Sequence, residues 1–263
     1  MADLVRQDRD DRGVVTLTLD KPEVRNAFNP DFMQAIRAAF EGLREDDTLR
    51  AVVLTGEGQA FSAGADLNWM RSMKDYSYED NVADSRELDA LFRTIDGFPR
   101  PVVAKVNGAA LGGAMGLIAC ADIAVASRAA VFGFSETKLG IAPAVISTYV
   151  QPKIGVSNAR RYFLTGERFD ADRAFSLGLV HEVCDPDDLD ATTERVLVEV
   201  LTAGPAAQVA VKDLIPLVEG AASQAEAAEH TVAVISRLRV GDEGQEGMQA
   251  FFDKRPAAWV PQD

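Results

Sequence analysis

A pair of glycines between an apolar strand and a helix is the feature of this sequence that most restricts its fold. Residues 107–117 read NGAALGGAMGL and follow the β-branched run Val102–Val106. Glycine lets the backbone approach a ligand closely, and a helix N-terminus offers unpaired N–H groups with partial positive charge. The sequence therefore predicts a strand–turn–helix unit whose turn can stabilise a developing oxyanion.

A second loop of the same kind lies upstream at residues 61–67, which read FSAGADL and follow the apolar residues 51–54. Taken alone, a turn of small residues is typical of a helix packed closely on a sheet. Two such turns can clamp one carbonyl oxygen between their N–H groups. The two loops together, more than either alone, point to an oxyanion site.

The charge of the chain limits its partners. The 263 residues carry a formal net charge of −14, with an isoelectric point near 4.6. Such a field repels nucleic acids and anionic membranes, so neither is an expected general partner. An anionic ligand needs a local basic patch, for which Lys21, Arg25, Lys254 and Arg255 are candidates.

Cysteine and histidine are too few for a disulfide framework or a metal site. Cys120 and Cys184 are both flanked by apolar residues, so we expect buried free thiols. His181 and His230 have no second ligand at metal-binding spacing, so we expect no zinc. Chemistry without a metal or a separate cofactor is favoured.

The N-terminal ten residues are rich in charge and lack the apolar region of a secretion signal, so we expect a cytoplasmic protein. The apolar run at residues 106–121 is shorter than the ~18–20 residues that span a bilayer and contains Asn107. We expect this run to be a buried core segment.

Hydrophobic periodicity indicates an α/β protein. Residues 14–19 alternate as a strand, and a helix with Pro30 in its first turn should follow. Further strands are predicted at residues 51–55, 102–106, 123–126 and 131–134. From about residue 187 onward the pattern is helical, without comparable strand runs. No Pro/Ser-rich linker divides the chain, so one large domain is the simplest reading.

Several motifs, in order along the chain, resemble those of the crotonase superfamily, also called the enoyl-CoA hydratase/isomerase family. They extend over about residues 12–259 and are closest to bacterial methylglutaconyl-CoA hydratase-like members. The motifs are Asn26-Ala27, FSAGADL at 61–67, VNG at 106–108, LGG at 111–113, CADI at 120–123 and FGFSE at 132–136.

The resemblance implies a fold and an assembly. The fold is α/β, a crotonase (ClpP/crotonase-like) spiral of β-β-α units with a helical C-terminal region. Residues 1–190 would form the spiral core with the acyl-CoA site, and residues 191–263 a helical region that mediates trimers, often paired into hexamers. Periodicity alone does not show this arrangement.

The resemblance also assigns catalytic roles. The backbone N–H groups of Ala65 and Gly113 would hold the acyl-CoA thioester oxygen as it becomes enolate-like. Glu136 would carry the proton, and a water-poor pocket should raise its pKa. A lone glutamate is more often a solvated surface charge, and its place in the motif reverses that judgement.

Gly116 departs from the usual pattern. Two-glutamate hydratases of the family carry their other glutamate at this position, so one acid/base group is absent. Migration of a double bond needs only one base, which favours an isomerase. Gly116 could also leave room for a branched or carboxylated acyl chain, or serve only for close helix packing.

The resemblance further implies binding residues for coenzyme A, which is part of the substrate. Trp69, with its neighbours Met70, Met73 and Tyr76, could line the acyl pocket, although such a stripe is more often plain core. Phe251 and Lys254 could reach the coenzyme A of a neighbouring subunit. The remaining candidates for the substrate are Lys21, Arg25, Ala27, Ala63, Gly64, Asp66, Leu67, Gly112 and Gly116.

Three functions follow as hypotheses. The first is a hydratase that adds water to a 2-enoyl-CoA, with a medium, branched or carboxylated acyl chain. The second is a 3,2-enoyl-CoA isomerase that uses the same residues. The third is an acyl-CoA-binding homologue without activity, which would keep the two loops and not depend on Glu136.

Overall fold

The computed structural model describes residues 4–261, which form ten strands and ten α-helices joined by short 3-10 turns. The strands are β1 Val5–Arg9, β2 Val14–Leu19, β3 Ala51–Gly56, β4 Ala60–Ser62, β5 Val102–Val106, β6 Ala109–Leu111, β7 Ile123–Ser127, β8 Val131–Gly133, β9 Arg168–Asp170 and β10 Glu182–Cys184. The helices are α1 Pro30–Leu43, α2 Leu67–Ser72, α3 Tyr78–Asp96, α4 Gly113–Cys120, α5 Ala144–Thr165, α6 Ala171–Ser176, α7 Leu189–Thr202, α8 Pro205–Glu219, α9 Gln224–Val240 and α10 Asp242–Asp253.

The strands alternate between two sheets. Six of them form one sheet in the order β1-β2-β3-β5-β7-β10, in which only β1 is antiparallel to its neighbour. Four short strands form the other sheet in the order β4-β6-β8-β9. Each of β3, β5 and β7 is followed by a strand of the second sheet and then by helix. This sequence of elements is the repeated β-β-α unit expected from the resemblance.

The long strands follow the burial rule for parallel sheets. Every residue of β3 is buried, and β2 is buried at all but one position. A strand covered on both faces reads as a continuous apolar run, which is why the sequence pattern locates β2, β3, β5 and β7 well. The predicted strand at 131–134 ends one residue earlier, at Gly133.

Helix α4 lies at the centre of the core. All of its residues after Gly113 are buried, as expected of a helix that is apolar all round. The run at 106–121 is thus a buried core segment, divided between β6 and α4. None of the described helices is long and apolar enough to cross a membrane.

Among residues 4–261 the chain separates into two compact units, one of residues 4–98 and 102–194, the other of 99–101 and 195–261. The first unit contains both sheets. The second is helical, as the sequence pattern predicts, and its helix α8 begins with N–H groups of Ala206 and Ala207 that donate to Glu243, each at 2.8 Å.

The two cysteines differ in burial. Both are free thiols, and Cys120 is buried. The expectation of burial is wrong for Cys184, which is only half-buried because it lies in β10, at the edge of the six-stranded sheet.

Candidate active site

The loop between β6 and α4 leaves one N–H group free. Gly112 has φ +55°, a region that favours glycine, and its own N–H donates to Gly133 O at 2.9 Å. Gly113 begins α4, and its N–H meets no acceptor in the described part of the chain. The loop therefore presents the Gly113 N–H at the N-terminus of a buried helix, where the dipole favours negative charge.

The second loop lies directly against the first. Gly64 has φ +88°, and a Cβ there would lie 2.8 Å from Leu111 O. Only 3.8 Å separates the Gly64 Cα from the place that a Cβ on Gly112 would take. Glycine at both positions is what lets the two loops approach.

Phe28 orients the Ala65 donor. The Phe28 N–H donates to Gly64 O and the Asp66 N–H donates to Phe28 O, both at 2.7 Å, so Phe28 and Ala65 form a parallel bridge. In such a bridge the groups that bond to Phe28 belong to Gly64 and Asp66, the residues on either side of Ala65. The N–H of Ala65 itself therefore faces away from Phe28. Within residues 4–261 the Ala65 N–H has no acceptor, and the residue is exposed.

The same phenylalanine contacts the other loop. A Cβ on Gly113 would lie 2.8 Å and 2.9 Å from two atoms of the Phe28 ring. Phe28 is thus packed against one loop and hydrogen-bonded to the other. Sequence reasoning missed its role, and the adjacent Asn26-Ala27 motif is the signal that could have drawn attention to it.

Glu136 faces the two loops. It lies in the 3-10 turn Ser135–Leu139, and its Oε1 is 3.5 Å from the place that a Cβ on Gly112 would take. Its Oε2 is buried and has no hydrogen-bond partner among the described residues. Burial raises the pKa of Glu136 above its ordinary value. A carboxyl group with one unpartnered oxygen and a raised pKa can both accept and return a proton.

Aromatic packing fixes the turn that carries Glu136. Phe134, two residues earlier, is fully buried, and its ring centroid lies 4.8 Å from that of Phe163 and 6.1 Å from that of Phe169. Gly140, with φ +77°, ends the turn. The buried Phe134 therefore anchors the turn in the core two residues before Glu136.

The position of Gly116 is filled by neighbours. A Cβ there would lie 2.6 Å from two atoms of the Phe92 ring and 2.8 Å from Ile146 Cγ2. The hypothesis that Gly116 leaves room for a larger acyl chain is therefore wrong, because apolar side chains occupy that space. Close packing is what glycine provides at this position.

The residues expected near the coenzyme surround a buried asparagine. Asn26 is completely buried, with φ +55°; its Oδ1 accepts from the Lys21 N–H at 2.9 Å, and its Nδ2 donates to Glu57 O and Ala60 O. Asn26 thereby shapes the turn that carries Lys21 and Arg25, which agrees with the turn that Pro22 and Asn26 indicate in the sequence. Arg25 is exposed, and Lys21 Nζ lies 5.4 Å above the ring of Phe32.

The other candidates on the first unit have diverse environments. Ala27 is buried, and the Ala63 N–H donates to Arg25 O at 2.9 Å. The Asp66 carboxylate caps α2 by accepting from the N–H groups of Asn68 and Trp69. Leu67 is largely exposed and Trp69 is buried, so Trp69 belongs to the core.

Phe251 and Lys254 belong to the second unit. Phe251, near the end of α10, is 79% exposed, and Lys254 ends that helix in a left-handed conformation. Both side chains are open to solvent in the chain as described.

Comparison with known proteins identifies relatives along almost the whole chain. The sequence model described as enoyl-CoA hydratase/isomerase matches residues 9–262. A crotonyl-CoA hydratase from Syntrophomonas wolfei is 32% identical, covering 94% of each chain. A trans-2-decenoyl-[acyl-carrier-protein] isomerase from Streptococcus mutans is 29% identical, covering 93% of this chain and 94% of its own. The crystal structure of an enoyl-CoA hydratase from Shewanella pealeana has a TM-score of 0.93 and 41% identity, covering 97% of this chain and 96% of its own.

Proposed function

The chain belongs to the enoyl-CoA hydratase/isomerase family, and we propose that it is a hydratase that adds water to a 2-enoyl-CoA thioester. One observation carries this proposal: Glu136, whose buried Oε2 has no hydrogen-bond partner among the described residues, lies beside two loops whose N–H groups at Ala65 and Gly113 meet no acceptor within residues 4–261. A proton carrier and two oxyanion donors are the groups that conjugate addition to a thioester requires.

In the proposed reaction, the Glu136 carboxylate takes a proton from water while the water oxygen bonds to C3. The π electrons of the double bond move to C2 and on to the thioester oxygen, which becomes an enolate oxygen. The N–H groups of Ala65 and Gly113 stabilise that charge, each by roughly 3 kcal/mol as in comparable oxyanion holes. Glu136 then returns its proton to C2, and the carbonyl re-forms.

For the acyl chain we propose a branched or carboxylated, methylglutaconyl-CoA-like group. The support is the resemblance of the motifs around Glu136 and Ala65. Gly116 gives no support, because its space is occupied by Phe92 and Ile146.

A 3,2-enoyl-CoA isomerase is the second candidate. The wall formed by Gly116, Phe92 and Ile146 is apolar, so no second carboxylate acts from that position. Glu136 could then take a proton from C2 of a 3-enoyl-CoA and return it to C4. The similarity to an isomerase from Streptococcus mutans accords with this alternative.

For coenzyme A we propose contacts of the cations Lys21 and Arg25 with the phosphates, and of Ala27 and the loop at 63–66 with the nucleotide end. No separate cofactor is part of this proposal. Cationic side chains near a phosphate offset the acidic field of the protein locally.

We further propose a cytoplasmic trimer or hexamer. Its support is the exposed apolar surface of the helical unit, which includes Val211, Ile215, Val232, Ile235, Phe251 and Phe252. Large exposed apolar side chains are typical of an interaction site where they adjoin one another. Phe251 and Lys254 would then lie near the coenzyme A of a neighbouring subunit, and light scattering of the purified protein tests the assembly.

Product mass distinguishes the two reactions. The purified protein is incubated with a matched pair of 2-enoyl-CoA and 3-enoyl-CoA, including a methyl-branched, carboxylated member. Gain of one water by the 2-enoyl substrate supports the hydratase, and conversion of the 3-enoyl substrate at unchanged mass supports the isomerase. Binding without turnover of any substrate contradicts both and supports a binding protein.

A further inference from the structure

Phe28 contacts the two donor loops through different parts of the residue. Its backbone N–H donates to Gly64 O and its backbone O accepts from the Asp66 N–H, both at 2.7 Å, on either side of Ala65. Its ring lies beside Gly113, where a Cβ would be 2.8 Å from ring atom Cε2 and 2.9 Å from Cδ2. Because van der Waals contact needs about 3.5–4.0 Å, the ring edge fills the space beside the α-carbon of Gly113.

The start of helix α1 holds Phe28 in place. Phe28 lies two residues before the helix and is 2% exposed. Its ring packs edge-on against that of the fully buried Phe32, with the centroids 6.3 Å apart. Asn29 caps the helix by accepting from the Phe32 N–H at 2.9 Å, and Pro30 occupies the first helical position. The place of Phe28 is therefore set by the capped helix start and by the core around the ring.

A residue held in this way fixes one loop relative to the other. The loops also meet directly, since only 3.8 Å separates the Gly64 Cα from the place that a Cβ on Gly112 would take. That contact prevents the loops from coming closer, but it does not prevent one from sliding along the other. The hydrogen bonds of Phe28 to one loop are directional, and its ring abuts the other loop, so Phe28 supplies the missing constraint.

We propose that Phe28 is a positioning residue that sets the distance and angle between the N–H groups of Ala65 and Gly113, so that both point at one thioester oxygen. This inference rests on the proposed oxyanion role of these two groups. Phe28 touches no reacting atom, and its effect passes through the backbones of the two loops. Helix α1, to which no catalytic group is assigned, thereby controls the geometry of the oxyanion site.

The test removes the ring in two steps. Phe28→Leu removes Cε2 and retains a Cδ atom, and Phe28→Ala removes both ring atoms that face Gly113. The main-chain bonds to the Ala65 loop remain available in both variants. Because a misplacement of about 1 Å can cost about 10²-fold in rate, kcat should fall about threefold with leucine and about tenfold with alanine. The Kd of the acyl-CoA should change little.

Phe40→Leu and Phe40→Ala are the matched controls. Phe40 is a fully buried residue of the same helix, and its ring packs edge-on against that of Phe98, with centroids 5.2 Å apart. It lies ten residues beyond Pro30, which is about 15 Å along the helix axis. These variants lose a buried ring far from the donors, so their stability should fall while kcat stays at the wild-type value.

An infrared measurement gives a readout that stability alone does not change. With a thioester labelled with ¹³C at the carbonyl, the stretch of the bound group reports its polarisation by the two donors. That stretch should move toward the value in solution in Phe28→Ala, move less in Phe28→Leu and remain unchanged in the Phe40 variants. If the alanine variant fails to fold, the leucine variant gives the answer by itself.

A double variant tests the contact between the ring and Gly113. In Gly113→Ala the new methyl group overlaps the Phe28 ring, and Phe28→Ala gives that methyl group room. The loss of kcat in the double variant should therefore be smaller than the product of the two single losses. A loss equal to that product would show that the ring and Gly113 act independently, which contradicts the proposal.

An unchanged carbonyl stretch in both Phe28 variants overturns the proposal, as does an equal shift in the Phe40 variants, and the proposed function stands in either case. A wild-type stretch equal to that in solution contradicts the oxyanion role of both donors, and the inference fails with it. If the wild-type protein polarises the carbonyl but turns over no enoyl-CoA, the proposed function fails, and the carbonyl stretch still decides whether Phe28 positions the donors.

Discussion

The two donor loops are held in different ways. The Gly113 loop runs into α4, which is buried at every later residue, whereas the Ala65 loop runs into α2, which has one buried side chain. The first donor is thus part of the core, and the second is attached to it through Trp69 and the bridge to Phe28. The difference indicates that one side of the site is fixed by packing and the other by a few specific contacts.

Removal of the proton carrier should have the largest effect, because the proposed reaction has no other acid or base. In Glu136→Gln, turnover should fall by about 10²–10⁴-fold, since an amide cannot take a proton from water. Steady-state kinetics on the 2-enoyl substrate measures this, with acyl-CoA binding as the control. Unchanged water addition would remove Glu136 from the mechanism.

The Gly113 loop should tolerate less change than the Ala65 loop. Gly113→Ala places a methyl group 2.8 Å from the Phe28 ring, so kcat should fall by about 10²-fold as the donor is displaced. Ala65→Gly keeps the N–H and alters an exposed residue, so its loss should be smaller. Equal losses in the two variants would contradict the comparison.

Hydrogen exchange can sharpen the same contrast. The amides of α2 should exchange through local opening at a free energy well below that of global unfolding, and those of α4 close to the global value. Mass spectrometry with peptide resolution measures both in one experiment. Equal protection of α2 and α4 would show that α2 is as much a part of the core as α4.

The apolar wall at Gly116 offers a prediction about stability. Gly116→Ala should lower the free energy of unfolding by about 1–3 kcal/mol, because the new methyl group would overlap Phe92 and Ile146. Urea denaturation measures the loss, and Phe92→Leu in the same chain should restore part of it. A Gly116→Ala protein as stable as the wild type would mean that Phe92 and Ile146 can move to admit the methyl group at little cost.

The smallest expected effect is a pH-dependent change in stability at Glu136. Its pKa is raised in the folded state, so its ionisation disfavours folding as the pH rises from 4.5 through the raised value. At neutral pH, Glu136→Gln should therefore be somewhat more stable than the wild type, and the difference should shrink toward pH 4.5. Thermal unfolding at several pH values measures it; a difference that grows in acid would reverse the sign of the pKa shift.

Local patterns in the sequence predict much of the fold. Strands β2, β3, β5 and β7 are mainly apolar, and helix α1 is indicated by Pro30 and by apolar residues at helical spacing, so each can be located without its partners. The sequence does not predict β1, β4, β6, β9 or β10. Of these, β1 is a mostly exposed edge strand, and the other four have three residues each. Such strands are stabilised by pairing with their neighbours, and the sequence carries no local signal for that pairing.

The candidate site also has some residues that the sequence reveals and others that only the folded structure reveals. Glycine-rich loops and the Glu136 motif are visible in the sequence, because the chemistry needs those residue types at those places. Phe92 packs against Gly116 from another helix, so its role follows only from the folded structure. Trp69 could be assigned to core or pocket from its sequence, and burial places it in the core.

A crystal structure with an unreactive acyl-CoA analogue tests the proposed site most directly. We expect the thioester oxygen to lie about 2.7–3.1 Å from the backbone nitrogens of both Ala65 and Gly113, with the Glu136 carboxyl group facing C2 and C3. A thioester oxygen bound to only one of these nitrogens, or a Glu136 carboxyl group turned away from the acyl chain, would contradict it.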